Sequence, residues 1–176
     1  MRIVDPILME LDQETATTRR VLARVPDDKL GWKPHAKSMS LGQLAMHVAQ
    51  IPGAIAGFVS GPSFAMNAPP PLGEPASLAA VMSALEASVA TAKEVLNSLD
   101  DTTVTSTWTL TAGDKILMSM PRLGVVRAIM LNHWYHHRGQ LSVYLRELGV
   151  PLPSIYGPSA DENPFMPADP THAGLT

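Results

Sequence analysis

The chain has 176 residues, 13 lysines or arginines against 16 acidic residues, and no cysteine. A net charge of −3 without a basic cluster argues against nucleic-acid binding, and the lack of cysteine excludes disulfides and thiolate metal ligands from the chain. The length is typical of one domain, expected to span residues 1–176. We find no signal peptide and no apolar run of about 18 residues, so we expect a cytoplasmic protein without a membrane span.

Apolar residues at helical spacing predict a first helix over about residues 4–25. A second helix is predicted to begin after Ser40, because Gln43 follows three residues later, which is the spacing of a capping box. Pro52 lies within this helix and lacks a backbone N–H. We therefore expect it to kink or interrupt the helix.

Residues 60–76 are rich in proline, glycine and small side chains, which is typical of a loop. A third helix is predicted over about 77–99. Alternating residues at 104–110 and 116–120 then predict two strands of a small β-hairpin. A fourth helix is predicted over about 122–148, since a glycine and a proline follow it closely.

The segment from about 150 to 176 is a proline-rich tail, which we predict to be an extended arm that packs on the body. Four amphipathic helices favour an all-α fold, a four-helix bundle with the small hairpin between its third and fourth helices. The spacing of the helices alone suggests a simple up-and-down order.

Three of the six histidines lie between positions 133 and 137. His133 and His137 are four residues apart on a stripe with apolar neighbours, which predicts that they point toward the core from consecutive turns. Two imidazoles at this spacing can bind one metal ion. His47 is the natural third ligand, because it lies beside the apolar stripe of the second helix. Three histidines would leave a coordination position open for water or substrate.

Each histidine also has a structural interpretation. A single histidine such as His47 is more often a hydrogen-bonded core residue than a ligand, whereas two buried imidazoles at 133 and 137 would both need partners. His136 points about 100° away from His137 and is expected at a boundary or interface, with a substitute ligand as the second interpretation. Trp134 follows His133 where a helical metalloprotease has glutamate, so that built-in general base is absent. The tail acids Asp161 and Glu162 stay open as proton acceptors.

Two stretches carry a family resemblance: "MSLGQLAMHVAQIPG" and "LNHWYHHRGQLSVYLRELGVPLPSIYGPSADE". Together with "LGWKP" upstream, they resemble the DinB / YfiT-like superfamily of metal-dependent enzymes, over about residues 5–162. The resemblance implies an up-down-down-up four-helix bundle with a crossover at 60–76. It also implies a divalent metal held by His47, His133 and His137, with zinc or nickel the leading expectation and iron or manganese as alternatives.

Proteins of this superfamily are commonly homodimers, and some are thiol-dependent S-transferases and isomerases. The resemblance therefore implies a reaction in which the metal activates a low-molecular-weight thiol that attacks a small-molecule substrate. Two alternatives stay open. The first is a metal-dependent hydrolase that uses a metal-bound water. The second is a non-catalytic stress or binding protein in which the metal is structural.

Overall fold

The structure is a computed structural model that describes residues 1–66 and 73–166, and most of these residues are helical. The helices are α1 (Asp5–Leu22), α2 (Leu41–Ser60), α3 (Leu78–Ser98), α4 (Asp101–Thr105), α5 (Arg122–Val125) and α6 (Asn132–Glu147). The strands are β1 (Ser63–Ala65), β2 (Thr107–Ala112) and β3 (Lys115–Pro121). None of the described helices combines the length and the apolar character that a membrane span requires.

Helix α2 lies at the centre of the fold, where it packs against α3 and α6, while α1 contacts α3 and α6. Each of the four long helices α1, α2, α3 and α6 contributes a fully buried leucine: Leu11, Leu44, Leu85 and Leu141. The four predicted helical segments are therefore present in a mostly helical fold. Their order as an up-down-down-up bundle stays a prediction.

The capping box at the start of α2 is confirmed. The Ser40 hydroxyl accepts a hydrogen bond from the backbone N–H of Gln43 at 3.0 Å, and the Gln43 side chain accepts one from the backbone N–H of Ser40 at 3.0 Å. This arrangement satisfies two backbone donors that the first turn of a helix leaves free. It fixes where α2 begins and therefore which of its residues face α6.

Of the kink or interruption predicted at Pro52, the interruption is wrong, because α2 is continuous from Leu41 to Ser60. The kink stays a prediction. Side chains from neighbouring helices bond the backbone around the proline. The Ser88 hydroxyl of α3 accepts from Gly53 N at 2.8 Å and donates to the Gln50 carbonyl at 3.1 Å. Tertiary contacts therefore hold α2 together at the point where its own backbone pattern is broken.

The predicted β-hairpin is wrong in two respects. The chain at Asp101–Thr105 forms the helix α4, capped by Asp100, so β2 begins only at Thr107. Strands β2 and β3 do pair antiparallel, but β1 pairs parallel with β2 and makes a three-stranded sheet. Strand β1 falls in the segment at 60–76 that we predicted to be a loop; residues 67–72 of that segment lie outside the described residues.

The fourth predicted helix contains a π-helical turn at Val126–Leu131, between α5 and α6. Here the N–H of Asn132 bonds to the Arg127 carbonyl, five residues back instead of four. This wider turn shifts the buried stripe by one residue. In α6, Trp134 and Arg138 therefore occupy the core, 0% and 1% exposed, and the prediction that 133 and 137 lie within the buried stripe is wrong.

The predicted arm folds back onto α1 and α6 through contacts of residues 154–162, and its last residues, 167–176, lie outside the described part of the chain. Arg20 of α1 pairs with Glu162 of the arm, and Arg146 of α6 pairs with Asp161. The Tyr156 hydroxyl accepts a hydrogen bond from buried Arg138 at 2.6 Å. These contacts fasten the arm to the side of α6 that faces α1.

Candidate metal centre

The structure brings together the three histidines that the sequence singled out. His47 comes from α2, and His133 and His137 come from consecutive turns of α6. One ring nitrogen from each side chain can be chosen so that all three lie within 4.8 Å of one another, and all three residues are half-buried. The three imidazoles therefore converge at the boundary between the core and solvent, where they could hold a metal ion.

Contacts among the rings are close. The centroids of the His47 and His137 rings are 4.5 Å apart, and those of His133 and His137 are also 4.5 Å apart. The Nε2 atoms of His133 and His137 are separated by 2.7 Å. At this distance the two nitrogens must share a proton or a cation, because two lone pairs would repel each other.

Gln140 determines which nitrogen of His137 faces the cluster. Its Oε1 atom lies 2.7 Å from His137 Nδ1, so Nδ1 carries the proton and donates to the amide oxygen. The lone pair of His137 is then on Nε2, directed at His133. An outer partner of this kind is the usual means by which proteins orient a metal-binding imidazole.

The environment keeps the imidazoles neutral. Burial lowers the pKa of His137 to about 4, although the hydrogen bond to Gln140 acts in the opposite direction. Burial also lowers the pKa of His47 and that of His133, and the charges of neighbouring histidines add to both effects. A metal ligand must be a neutral imidazole, so the site favours the protonation state that coordination requires.

The buried Nδ1 atom of His133 makes no hydrogen bond of normal geometry with any described residue. The nearby Ile129 carbonyl opposes the effect of burial on the pKa of His133 without providing a well-aligned acceptor. A metal among the convergent nitrogens would bind His133 through Nε2, so Nδ1 would take no part in the site. The neutral rings and the convergent nitrogens fit a divalent metal that prefers imidazole ligands, such as zinc or nickel.

Other residues raised by the sequence lie outside the cluster. His136 is exposed, with its ring 4.9 Å from that of His137, and its nitrogens are not part of the group. Asp161 and Glu162 are paired with arginines on α6 and α1. Within residues 1–66 and 73–166, no carboxylate joins the three imidazoles.

Sequence reasoning missed a second polar cluster on α6. Arg138 is 1% exposed and lies 2.6 Å from the Glu14 carboxylate of α1. The available signal is the position of Glu14, a charged residue that directly precedes Thr15 in the first helix. Its burial depends on Arg138, since charged residues are seldom buried without a partner.

A mostly helical fold with three convergent histidines defines this protein as a candidate metal-binding helical protein. The family model described as the DinB family matches residues 4–166. The chain therefore belongs to the DinB family, which confirms the resemblance carried by its histidine motifs.

The chain is also similar to individual proteins. The uncharacterized protein YrdA of Bacillus subtilis (strain 168) is 27% identical over 162 residues, which cover 90% of this chain and 91% of the relative. A DinB-like protein from Bacillus cereus ATCC 10987 has a TM-score of 0.65 at 21% identity, over 85% of this chain and 95% of the other. The DinB-like protein YjoA of Bacillus subtilis also gives 0.65, at 18% identity, over 86% and 97%. These structural likenesses show the fold.

Proposed function

We propose that the protein is a metal-dependent transferase that joins a low-molecular-weight thiol to an electrophilic small molecule. In this proposal His47, His133 and His137 hold a divalent metal, with zinc or nickel the leading candidates. The observation that carries the proposal is a donor set of three neutral imidazoles with no carboxylate beside it within the described residues.

A divalent metal bound at this site supplies a Lewis acid that lowers the pKa of a thiol or water that coordinates it. The residues of the chain orient and shield this centre. Gln140 holds the imidazole of His137 in the tautomer that presents Nε2. Half-burial of the three rings favours their uncharged form.

The missing carboxylate favours a thiol over water as the nucleophile. A hydrolase needs a group that accepts a proton from the attacking water, and a carboxylate commonly has this role. The tail acids that the sequence left open for it are engaged with Arg146 and Arg20. A thiol is deprotonated far more easily than water and needs no such acceptor. The chain has no cysteine, so the thiol would come from outside.

The test is a titration of the Co²⁺-loaded protein with glutathione, cysteine and 2-mercaptoethanol. We expect at least one thiol to produce a sulfur-to-cobalt charge-transfer band in the near ultraviolet, and we expect no such band with His133→Ala. The absence of a band with every thiol would overturn the proposal. Metal-dependent hydrolysis of model esters by a protein that binds no thiol would favour the hydrolase instead.

A further inference from the structure

Pro52 leaves one carbonyl of α2 without its normal partner. In an α-helix the carbonyl of residue 48 accepts from the N–H of residue 52, and proline has no N–H. The indole Nε1 of Trp134 donates to the Val48 carbonyl at 2.8 Å. Trp134 and Val48 are both fully buried, so this hydrogen bond forms away from water.

This hydrogen bond joins the residues that directly follow two of the histidines. Val48 directly follows His47 in α2, and Trp134 directly follows His133 in α6. The bond therefore connects the two helices at the level where their ligands meet. Side-chain packing alone leaves helices some freedom to slide or rotate, whereas a donor with one available acceptor fixes their relative position.

The backbone of α2 around Pro52 is also hydrogen-bonded to α3. The Ser88 hydroxyl bonds both Gly53 N and the Gln50 carbonyl. The helices also approach closely here, because a Cβ on Gly53 would lie 2.8 Å from the Ser88 carbonyl oxygen. The segment of α2 around Pro52 is therefore held from α3 and from α6, and the acceptor for Trp134 has a defined place.

We propose that Trp134 is a positioning residue for the metal centre, and that Pro52 creates the carbonyl by which it acts. The Trp134 N–H sets the register between α2 and α6 and thereby places His47 against His133 and His137. This inference depends on the proposed metal centre. Metal sites need their ligands held to within about 0.5 Å, and loss of a group that hydrogen-bonds a ligand typically lowers metal affinity about 10- to 100-fold. Trp134 acts through the backbone next to His47 and not on a ligand ring, so we expect an effect at the lower end of this range.

The chain contains a matched control. Trp108 of β2 is 2% exposed, and its Nε1 donates to another carbonyl of α2, that of Phe58, at 2.9 Å. This bond lies 11 residues beyond His47 in α2, about three turns away. Trp134→Phe and Trp108→Phe therefore each remove an indole N–H that donates to a carbonyl of the same helix, the first bond buried and the second part-buried, but only the first bond adjoins the ligands.

The experiment measures Zn²⁺ affinity by chelator competition, together with the absorption spectrum of bound Co²⁺ and the unfolding temperature without metal. We expect Trp134→Phe to weaken Zn²⁺ binding about tenfold and to alter the Co²⁺ spectrum. We expect Trp108→Phe to bind Zn²⁺ like the wild type, while both variants lose comparable stability. If Trp134→Phe does not fold, benzothienylalanine at position 134 keeps the ring shape and removes only the N–H.

An unchanged Zn²⁺ affinity in the residue-134 variant would overturn the inference and leave the metal centre intact. Equal weakening by both tryptophan variants would overturn it as well, because the effect would then follow general stability. A wild type that binds no Zn²⁺, Ni²⁺, Fe²⁺ or Mn²⁺ would instead remove the proposed metal centre itself. The two failures are therefore distinguishable.

Discussion

Two polar clusters on α6 meet at adjacent residues of the chain, His137 and Arg138. On one side, Arg138 donates to the Glu14 carboxylate, to the Thr18 hydroxyl at 3.1 Å and to the Tyr156 hydroxyl, and its guanidinium lies 5.3 Å from the centroid of the Tyr135 ring. Opposite charges and hydrogen-bonding groups from α1, α6 and the arm therefore compensate the buried charge.

The histidine cluster on the other side of α6 contrasts with the Arg138 cluster. His133, His137 and His47 approach one another without an opposing charge within their group, and the Nε2 atoms of His133 and His137 face each other at 2.7 Å. Burial favours the neutral ring at all three positions. Buried polar groups whose hydrogen bonds are made within the chain therefore stabilise the fold, whereas convergent groups that need a partner from outside the chain mark a ligand site.

The largest effect on stability is expected from Arg138→Ala. The substitution leaves the partly buried Glu14 carboxylate without its cation, and breaking a buried ion pair from one side typically costs about 3–5 kcal/mol. The free energy of unfolding in urea, without metal, measures it. The double variant Arg138→Met with Glu14→Leu should recover most of the loss, because it removes both charges. A loss below about 1 kcal/mol would show that the pair behaves like an exposed one.

Gln140→Ala tests the histidine side. Because Gln140 orients the His137 ring, its loss should weaken Zn²⁺ binding about tenfold, measured by chelator competition. Glu147→Ala is the control, since Glu147 is an exposed residue two turns further along α6. Equal affinities for the two variants would contradict the role given to Gln140.

The smallest effect is expected from Tyr156→Phe. The change removes one hydroxyl that accepts from Arg138 and donates to Glu14 at 3.1 Å, while the ring near the guanidinium remains. Thermal unfolding should show a loss of about 0.5–1 kcal/mol, the lower part of the usual range for a hydrogen bond, because Tyr156 is 70% exposed. Metal affinity should stay at the wild-type value. A decrease in metal affinity as large as that caused by Gln140→Ala would show that the Arg138 cluster and the histidine cluster are coupled.

The helices and the histidine cluster could be predicted because both depend on short-range patterns. The capping box at Ser40 and the periodic apolar residues locate α2, and the four-residue spacing places His133 and His137 on neighbouring turns. His47 could be added because its helix shows an equally clear apolar stripe. Local periodicity therefore indicated the three residues, whereas their convergence depends on the packing of α2 against α6.

Features that depend on long-range contacts could not be predicted. The strand β1 exists because Ser63–Ala65 pairs with β2, more than 40 residues away in sequence. The π-helical turn shifts the core stripe by one residue, and no residue type at 126–131 predicts such a turn. The continuity of α2 through Pro52 depends on Ser88 and Trp134, which come from other helices. Each of these outcomes is decided by tertiary packing.

The most direct test is the metal content of three proteins loaded with Zn²⁺ and then desalted: the wild type, His133→Ala and His136→Ala. His136 is the control, because it is an exposed histidine of α6 outside the convergent group. We predict about one metal ion per chain in the wild type and in His136→Ala, and almost none in His133→Ala. Equal metal content in His133→Ala and the wild type would contradict the assignment of this cluster as the metal centre.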